Sequence, residues 1–171
     1  MINNNFYKPV LAICLLFLIS ACAASTPPQP KKTQLQIREF QTKVFEVDDQ
    51  KMVMKAMINV LQDDGYIVEN ANVDLGLITA SKESDVEDGW SKFFAQLAEG
   101  DQARWSKNMI IESSSNVSRL GDRTKVRVNF RGKVLDNQAG IVDVYNIEDE
   151  NFYRDFFIKV DKAIYLQQQN I

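Results

Sequence analysis

Histidine is absent from all 171 residues, and cysteine occurs only twice, as Cys14 and Cys22. Without histidine, neither a Ser–His nor a Cys–His nucleophilic pair can form. Zinc sites built from nitrogen and sulfur ligands depend on the same two residue types. We therefore expect no metal site, no cofactor and no enzymatic activity, because catalysis would rest on carboxylates, Lys, Tyr or Ser alone.

Proline is absent after Pro30, whereas all seven glycines come after residue 35. The segment 23–34, AASTPPQPKKTQ, offers almost nothing to bury and is typical of a semi-extended tether. The remainder, residues 35–171, is long enough for one compact domain with its own core. We therefore predict a leader over 1–21, a tether over 22–34 and a single domain over 35–171.

The leader has the pattern of a signal peptide, with one basic residue, Lys8, before an apolar run from Val10 to Ile19. A run of about 10 apolar residues is too short to span a bilayer. The residues Ile19-Ser20-Ala21-Cys22 resemble the bacterial lipobox. That resemblance implies cleavage before Cys22 and a lipid on its Sγ. The alternative is an ordinary signal peptide that happens to carry a cysteine.

A lipid on Cys22 would hold the protein at a membrane without a transmembrane helix. The next residue is Ala23 and not aspartate. Under the sorting rule of Gram-negative lipoproteins, this resemblance implies the outer membrane, with the domain facing the periplasm. Another bacterial membrane surface is the alternative.

The charge balance gives no sign of nucleic-acid binding, because 20 basic and 23 acidic residues leave a net charge of −3. Cys14 lies in the leader, so lipidation of Cys22 would leave the domain without a thiol and without a disulfide. We expect the partners to be the membrane, through the lipid, and a protein of the cell envelope.

The first half of the domain contains segments with clear periodicity. The β-forming segment 38–47, REFQTKVFEV, predicts a strand, and Asp48-Asp49 are N-cap candidates for a helix that Gly65 would end. The apolar face of that helix is expected to comprise Val53, Met57, Val60 and Leu61. Two short strands are predicted over 66–69 and 77–82.

The second half adds a short aromatic helix, two strands over 109–117 and 124–135, and a last helix over 149–168. The apolar face of this last helix is predicted to contain Tyr153, Phe156, Phe157, Val160 and Ile164. The order β-α-β-β-α-β-β-α favours an α+β fold, in which two long helices cover one face of a four- to five-stranded antiparallel sheet. The other face would be at least partly solvated.

The quoted stretches QTKVFEV and VLQDDGYIVENANVDLGLITASK resemble a segment of small proteobacterial outer-membrane lipoproteins without assigned activity. The element order also resembles the helix-grip domains of BamC, a lipoprotein of the outer-membrane β-barrel assembly machinery. The resemblance covers about residues 40–82 at the level of motifs and implies no catalytic residue. It implies a non-enzymatic binding or assembly accessory of an envelope complex. The alternative is a carrier of a small apolar or lipid ligand between helix and sheet.

One candidate binding surface is the basic side of the strand over 124–135. Its members alternate with apolar residues and are Lys125, Arg127, Arg131 and Lys133. They could dock an acidic patch, anionic lipid or cell-wall carboxylates. The alternative is a solvated outer face that discourages aggregation at strand edges.

A second candidate is the aromatic helix. Its apolar residues recur at helical spacing and are Trp90, Phe93, Phe94 and Leu97. They could bury against the sheet, anchor a protein partner or lie in the membrane interface.

Acidic residues supply the weakest candidates. Residues 83–88, ESDVED, have a spacing loosely similar to a calcium loop but lack its glycine and terminal glutamate. Asp63-Asp64 lie where a helix is predicted to end, which is unfavourable for the helix dipole and hints at a local role.

Overall fold

The computed structural model describes residues 32–85, 108–136 and 138–169. Within these residues the chain forms three helices and six strands. In chain order they are α1 (Gln34–Phe40), β1 (Thr42–Phe45), α2 (Gln50–Asp63), β2 (Ile67–Asn72), β3 (Leu77–Asp85), β4 (Asn108–Leu120), β5 (Arg123–Leu135), β6 (Ile141–Asn146) and α3 (Glu150–Gln168).

The strands form one antiparallel sheet in the order β1-β5-β4-β3-β2, and β6 also pairs with β5. The short β1 pairs with residues 124–127 of β5, and β6 pairs with residues 131–135. Because β4 occupies the opposite edge of β5 throughout, β1 and β6 lie end to end along the same edge. The predicted antiparallel α+β fold is confirmed at this level.

A gap in the edge of β5, between β1 and β6, is closed by hydrogen bonds from outside the strands. The Val128 N–H donates to the carbonyl of Gln41 at 3.0 Å, and the Ile147 N–H donates to the carbonyl of Phe130 at 2.9 Å. The Phe130 N–H donates to the hydroxyl of Tyr153 on α3 at 3.1 Å. The sheet is therefore completed here by a helix side chain.

The core lies between the sheet and the helices α2 and α3, which contact each other. Both predicted apolar helix faces are buried there, and β5 contributes Val126, Val128 and Phe130 from alternate positions. The Phe130 ring lies 4.8–5.7 Å from the rings of Phe152, Tyr153 and Phe156. The aromatic side of α3 thus packs onto the centre of the sheet.

The predicted ends of α2 are confirmed. The Asp49 side chain accepts a hydrogen bond from the Met52 N–H at 2.9 Å, and Gly65 follows the helix at φ +85°. The acidic end of this helix has structural partners. The Asp64 carboxylate lies 2.5 Å from Lys159 Nζ on α3, and the Asp64 carbonyl accepts from Lys82 Nζ at 2.8 Å.

The predicted strand over 38–47 is wrong in its first half, where α1 ends at Phe40 and β1 covers only Thr42–Phe45. A capping box starts α1: the Gln36 N–H donates to Thr33 Oγ1 at 3.3 Å, and the Thr33 N–H donates to Gln36 Oε1 at 2.8 Å. Ile37 is buried, which adds a packing contribution to this short helix. The cap of α1 therefore lies within the segment that the sequence predicts as tether.

The strand β6 was not predicted, so the expected four to five strands become six. Its sequence, IVDVYN, carries an aspartate in an otherwise β-forming stretch, and most of its side chains are exposed. A BamC-like element order is not confirmed, because α1 precedes β1 and the additional strand β6 lies between β5 and α3. None of the helices in residues 32–85, 108–136 and 138–169 combines the length and apolar character that a membrane crossing requires.

Candidate functional site: the open face of the sheet

We call the side of the sheet that faces away from α2 and α3 the open face. The register places its side chains in rows that run across the strands. One row joins Thr79, Ser114 and Asn129, and the next joins Ser81, Glu112, Arg131 and Asn146. Directly opposed residues in a sheet point to the same side, so each row forms a continuous polar strip.

A depression of about 470 Å³ lies on these rows. Its lining comes from five strands and comprises Glu69, Thr79, Ala80, Glu112, Ser113, Ser114, Asn129, Arg131 and Asn146. Most of the lining side chains carry hydrogen-bonding groups. The depression is therefore suited to a polar ligand or to polar groups of a partner.

Glu112 organises one end of the depression. Its Oε2 accepts from Arg131 Nε at 2.6 Å, and its Oε1 accepts from Lys133 Nζ at 2.5 Å. Partial burial alone would raise the pKa of Glu112, but the two basic partners outweigh that effect and hold the pKa below its ordinary value. Glu112 is therefore ionised at neutral pH and fixes the positions of two basic side chains.

Glu69 lies at the opposite end. Its Oε1 accepts a hydrogen bond from Ser81 Oγ at 2.5 Å, which draws the carboxylate from β2 toward β3. A register shift between Val68 and Asn70 interrupts the pairing of β2 with β3 at this point. A bulge of this kind re-aims a side chain, and here it accompanies the turn of Glu69 toward the depression.

The four cations of the predicted basic side of β5 lie on one face of the strand and divide into two pairs. Arg131 and Lys133 are matched by Glu112. Lys125 and Arg127 form no ion pair within the described part of the chain. The Nε of Arg127 is buried and has no hydrogen-bond partner among the described residues. Lys125 and Arg127, which lie opposite β1, are therefore the two cations of this strand face without an acidic partner among the described residues.

Several predicted site residues lie outside the described residues. These are the lipidation site, Cys22, and the aromatic stripe of Trp90, Phe93, Phe94 and Leu97. Of the acidic segment 83–88, only its first residues are described, and they end β3. Across the described ranges no group of acidic or sulfur-bearing side chains has the arrangement of a metal site.

The interior between helices and sheet contains large, fully buried side chains. Tyr153, Phe130, Met54, Met57 and Leu61 are among the largest, and each is at most 1% exposed. Tyr153 also makes polar contacts within this interior, because its hydroxyl accepts from Gln41 and from the backbone of β5.

The sequence pattern indicated the basic half of the open face and not the rest. The alternation of β5 was sufficient to place Arg131 and Lys133 on one side. By contrast, Glu69, Thr79, Ser114 and Asn146 join the site only through the register of five strands.

The comparisons with known proteins extend to the fold alone. No family model matches the chain, and no curated protein matches it. A DUF4468 family protein from Bacteroides ovatus is 10% identical over 78% of this chain and 96% of its own, with a TM-score of 0.41. A TBP-like protein from Parabacteroides distasonis is 13% identical over 72% of this chain and 90% of its own, with a TM-score of 0.39.

Both likenesses concern a small α+β fold. Neither bears on the resemblance to proteobacterial outer-membrane lipoproteins or to BamC, which is not confirmed and stays a prediction.

Proposed function

We propose that this chain is a lipid-anchored accessory protein of a bacterial cell envelope, which binds a partner through the open face of its sheet and performs no catalysis. The observation that carries the proposal is the one-sided packing of the sheet. Both long helices cover the same face, and the opposite face presents a preformed polar depression beside two unmatched cations.

The partner that fits this face is a protein with an acidic patch. Lys125 and Arg127 supply positive charge without an ion-pair partner among the described residues, and rim charges of this kind chiefly steer and orient a partner. The depression supplies hydrogen-bonding groups a short distance along the same strands. The stripe Trp90, Phe93, Phe94 and Leu97 is proposed as a second contact, since aromatic residues dominate binding hot spots.

The anchor is proposed from the residues Ile19-Ser20-Ala21-Cys22. A lipidated Cys22 would hold the domain at the outer membrane, facing the periplasm, on a proline-rich connection. The alternative function is a carrier of an apolar ligand between helix and sheet, where Tyr153 and Phe130 are buried.

Replacing Cys22 with serine tests the anchor, because serine has no thiolate to accept a lipid. We expect the wild-type chain to sediment with membranes and to require detergent for release. Cys22→Ser is expected to be left unprocessed or to move largely to the soluble fraction. Cys14→Ser is the matched control and should fractionate like the wild type. A mature Cys22→Ser chain that stays with membranes as completely as the wild type would contradict the anchor.

The binding half of the proposal is tested by site-specific photo-crosslinking in cells. Asn129 offers an exposed position on the open face, and Asp155 offers one on the solvent side of α3. Crosslinks to one partner from the first position and not from the second are the expected result.

A further inference from the structure

We propose that the depression on the open face binds a short peptide with free, charged ends. This inference rests on the proposed function only in taking the open face as a binding face. The charges of the depression and the spacing between them select this class of ligand.

The depression has opposite charges at its two ends. The carboxylate of Glu69 lies at the β2 end, and the guanidinium of Arg131 lies at the β5 end. Asn146 lies directly across from Arg131 on β6, and Asn129 lies one row away on β5. The β5 end therefore offers to a ligand carboxylate a guanidinium that is paired through Nε with Glu112, together with two neighbouring amides, and the β2 end offers a carboxylate to a ligand ammonium.

The guanidinium remains able to bind a ligand although it contacts Glu112. Among the described residues, the Arg131 side chain makes one hydrogen bond, in which its Nε donates to Glu112 at 2.6 Å. The two terminal nitrogens form the planar fork that binds carboxylates in a bidentate manner. Glu112 thus orients the fork without occupying it.

The distance between the two ends fits two or three amino-acid residues. Strands β2 and β5 are three spacings apart, about 14 Å in all. Glu69 leans toward Ser81 on β3, and Arg131 leans toward Glu112 on β4. The charged groups are therefore separated by roughly 5–10 Å, and an extended chain covers about 3.3–3.6 Å per residue.

Two apolar side chains, one on each side of Lys133 in the row beside the charged row, offer contacts to an aliphatic side chain of a peptide. The adjacent row of the open face joins Ile110, Lys133 and Val144, and the Val144 side chain is 49% exposed. An aliphatic side chain of a bound peptide could lie against Ile110 and Val144. A neutral saccharide would leave both terminal charges of the depression without a counterpart.

The test is calorimetric titration of the full-length protein, purified from membranes in detergent, with the tripeptide Ala-Leu-Ala. The N-acetylated peptide, the C-amidated peptide and a neutral trisaccharide are titrated in parallel. We expect saturable binding of the free peptide, and each cap should weaken binding by about tenfold or more, since each removes a charge-assisted contact. Absence of saturable binding, indifference to the caps, or equal binding of the trisaccharide would overturn the inference.

Two variants test whether Glu69 binds the amino end of the peptide and Arg131 binds its carboxyl end. Glu69→Gln is expected to bind the free and N-acetylated peptides equally while still discriminating against the C-amidated one. Arg131→Gln should show the reverse pattern. Since each variant loses only its own discrimination, a general structural defect cannot produce this result. Loss of both discriminations together in either variant would overturn the assignment.

The matched controls are Glu46→Gln and Arg154→Gln, which replace exposed members of ion pairs elsewhere on the surface. Both should bind like the wild type, and a loss of binding in either would count against the site. Photo-crosslinks from Asn129 without peptide binding would overturn this inference and leave the proposed function in place. Peptide binding without any crosslink from Asn129 would overturn the proposed function and leave this inference in place.

Discussion

Replacing Gly76 with alanine is expected to destabilise the domain by about 3–5 kcal/mol, a loss that only a few kinds of single substitution produce. Gly76 lies in the turn between β2 and β3 and has φ +65°. A Cβ at this position would stand 1.9 Å from the carbonyl oxygen of Val117 and 2.9 Å from Gln50 Nε2. The nearest atoms in the way are backbone atoms of β4, so side-chain rotation cannot relieve the clash.

The turn cannot move away without losing hydrogen bonds. The Val117 N–H donates to the Gly76 carbonyl at 2.7 Å, and Gln50 Nε2 donates to the Val117 carbonyl at 3.1 Å. Gly76 therefore lets the turn, β4 and the start of α2 meet at one point.

Gly121→Ala is the control for the Gly76 substitution. Gly121 has nearly the same backbone angle, φ +67°, but a Cβ there would meet nothing within 4 Å. Only the strain of a left-handed alanine remains, about 1–2 kcal/mol. The free energies of unfolding of the two variants, measured with denaturant, should therefore differ by at least about 1 kcal/mol. Equal losses would show that the close approach to Val117 is not what Gly76 permits.

Replacing Tyr153 with phenylalanine is expected to cost about 2–4 kcal/mol, although the ring contacts survive. The Tyr153 hydroxyl accepts from the Phe130 N–H at 3.1 Å and from Gln41 Nε2 at 3.3 Å, and the residue is fully buried. Burial raises the pKa of Tyr153, so this hydroxyl stays neutral in the physiological range. Its removal leaves two buried donors without an acceptor in the gap between β1 and β6.

The control for this variant lies on the same helix. Tyr165 is 61% exposed, so Tyr165→Phe should change the free energy of unfolding by less than about 0.5 kcal/mol. Hydrogen exchange provides a second measurement, because the Phe130 amide should lose more protection in Tyr153→Phe than the amides in the middle of β4. If Tyr153→Phe changed neither the free energy of unfolding nor the hydrogen-exchange protection of the Phe130 amide, the Tyr153 hydroxyl would have no role in bridging the gap between β1 and β6.

The parts of the fold that the sequence predicted are those set by local periodicity. The apolar faces of α2 and α3 recur at helical spacing, and β5 alternates along its length, so each burial pattern was visible without tertiary information. Asp49 and Gly65 mark the ends of α2 by the same local chemistry. These elements form the core, and they were predicted with nearly correct bounds.

The errors lie where tertiary contacts outweigh local preference. The residues 38–40 favour a strand by composition, but the capping box at Thr33 and the burial of Ile37 complete a helix. The strand β6 exists because the far half of β5 offers it a pairing edge. Neither signal can be obtained from a window of a few residues.

The candidate site was predictable only in part for a related reason. The charges on β5 were visible in one strand, whereas Glu69 and Arg131 are joined by the register of β2, β3, β4 and β5. A shift of one residue in any of these pairings would turn the intervening side chains to the other face. The pairing of Arg131 and Lys133 with Glu112 also follows from register and could not be predicted from composition.

The central claim is that the open face is the binding face. Its most direct test is photo-crosslinking in cells, with the photoreactive amino acid at Asn129 or at Asp155 of the full-length protein. Irradiation should join one defined partner to position 129, and the double substitution Lys125→Glu/Arg127→Glu should weaken that crosslink. Position 155, on the solvent side of α3, should give little of the same product. A partner joined through position 155 and absent from position 129 would contradict the claim.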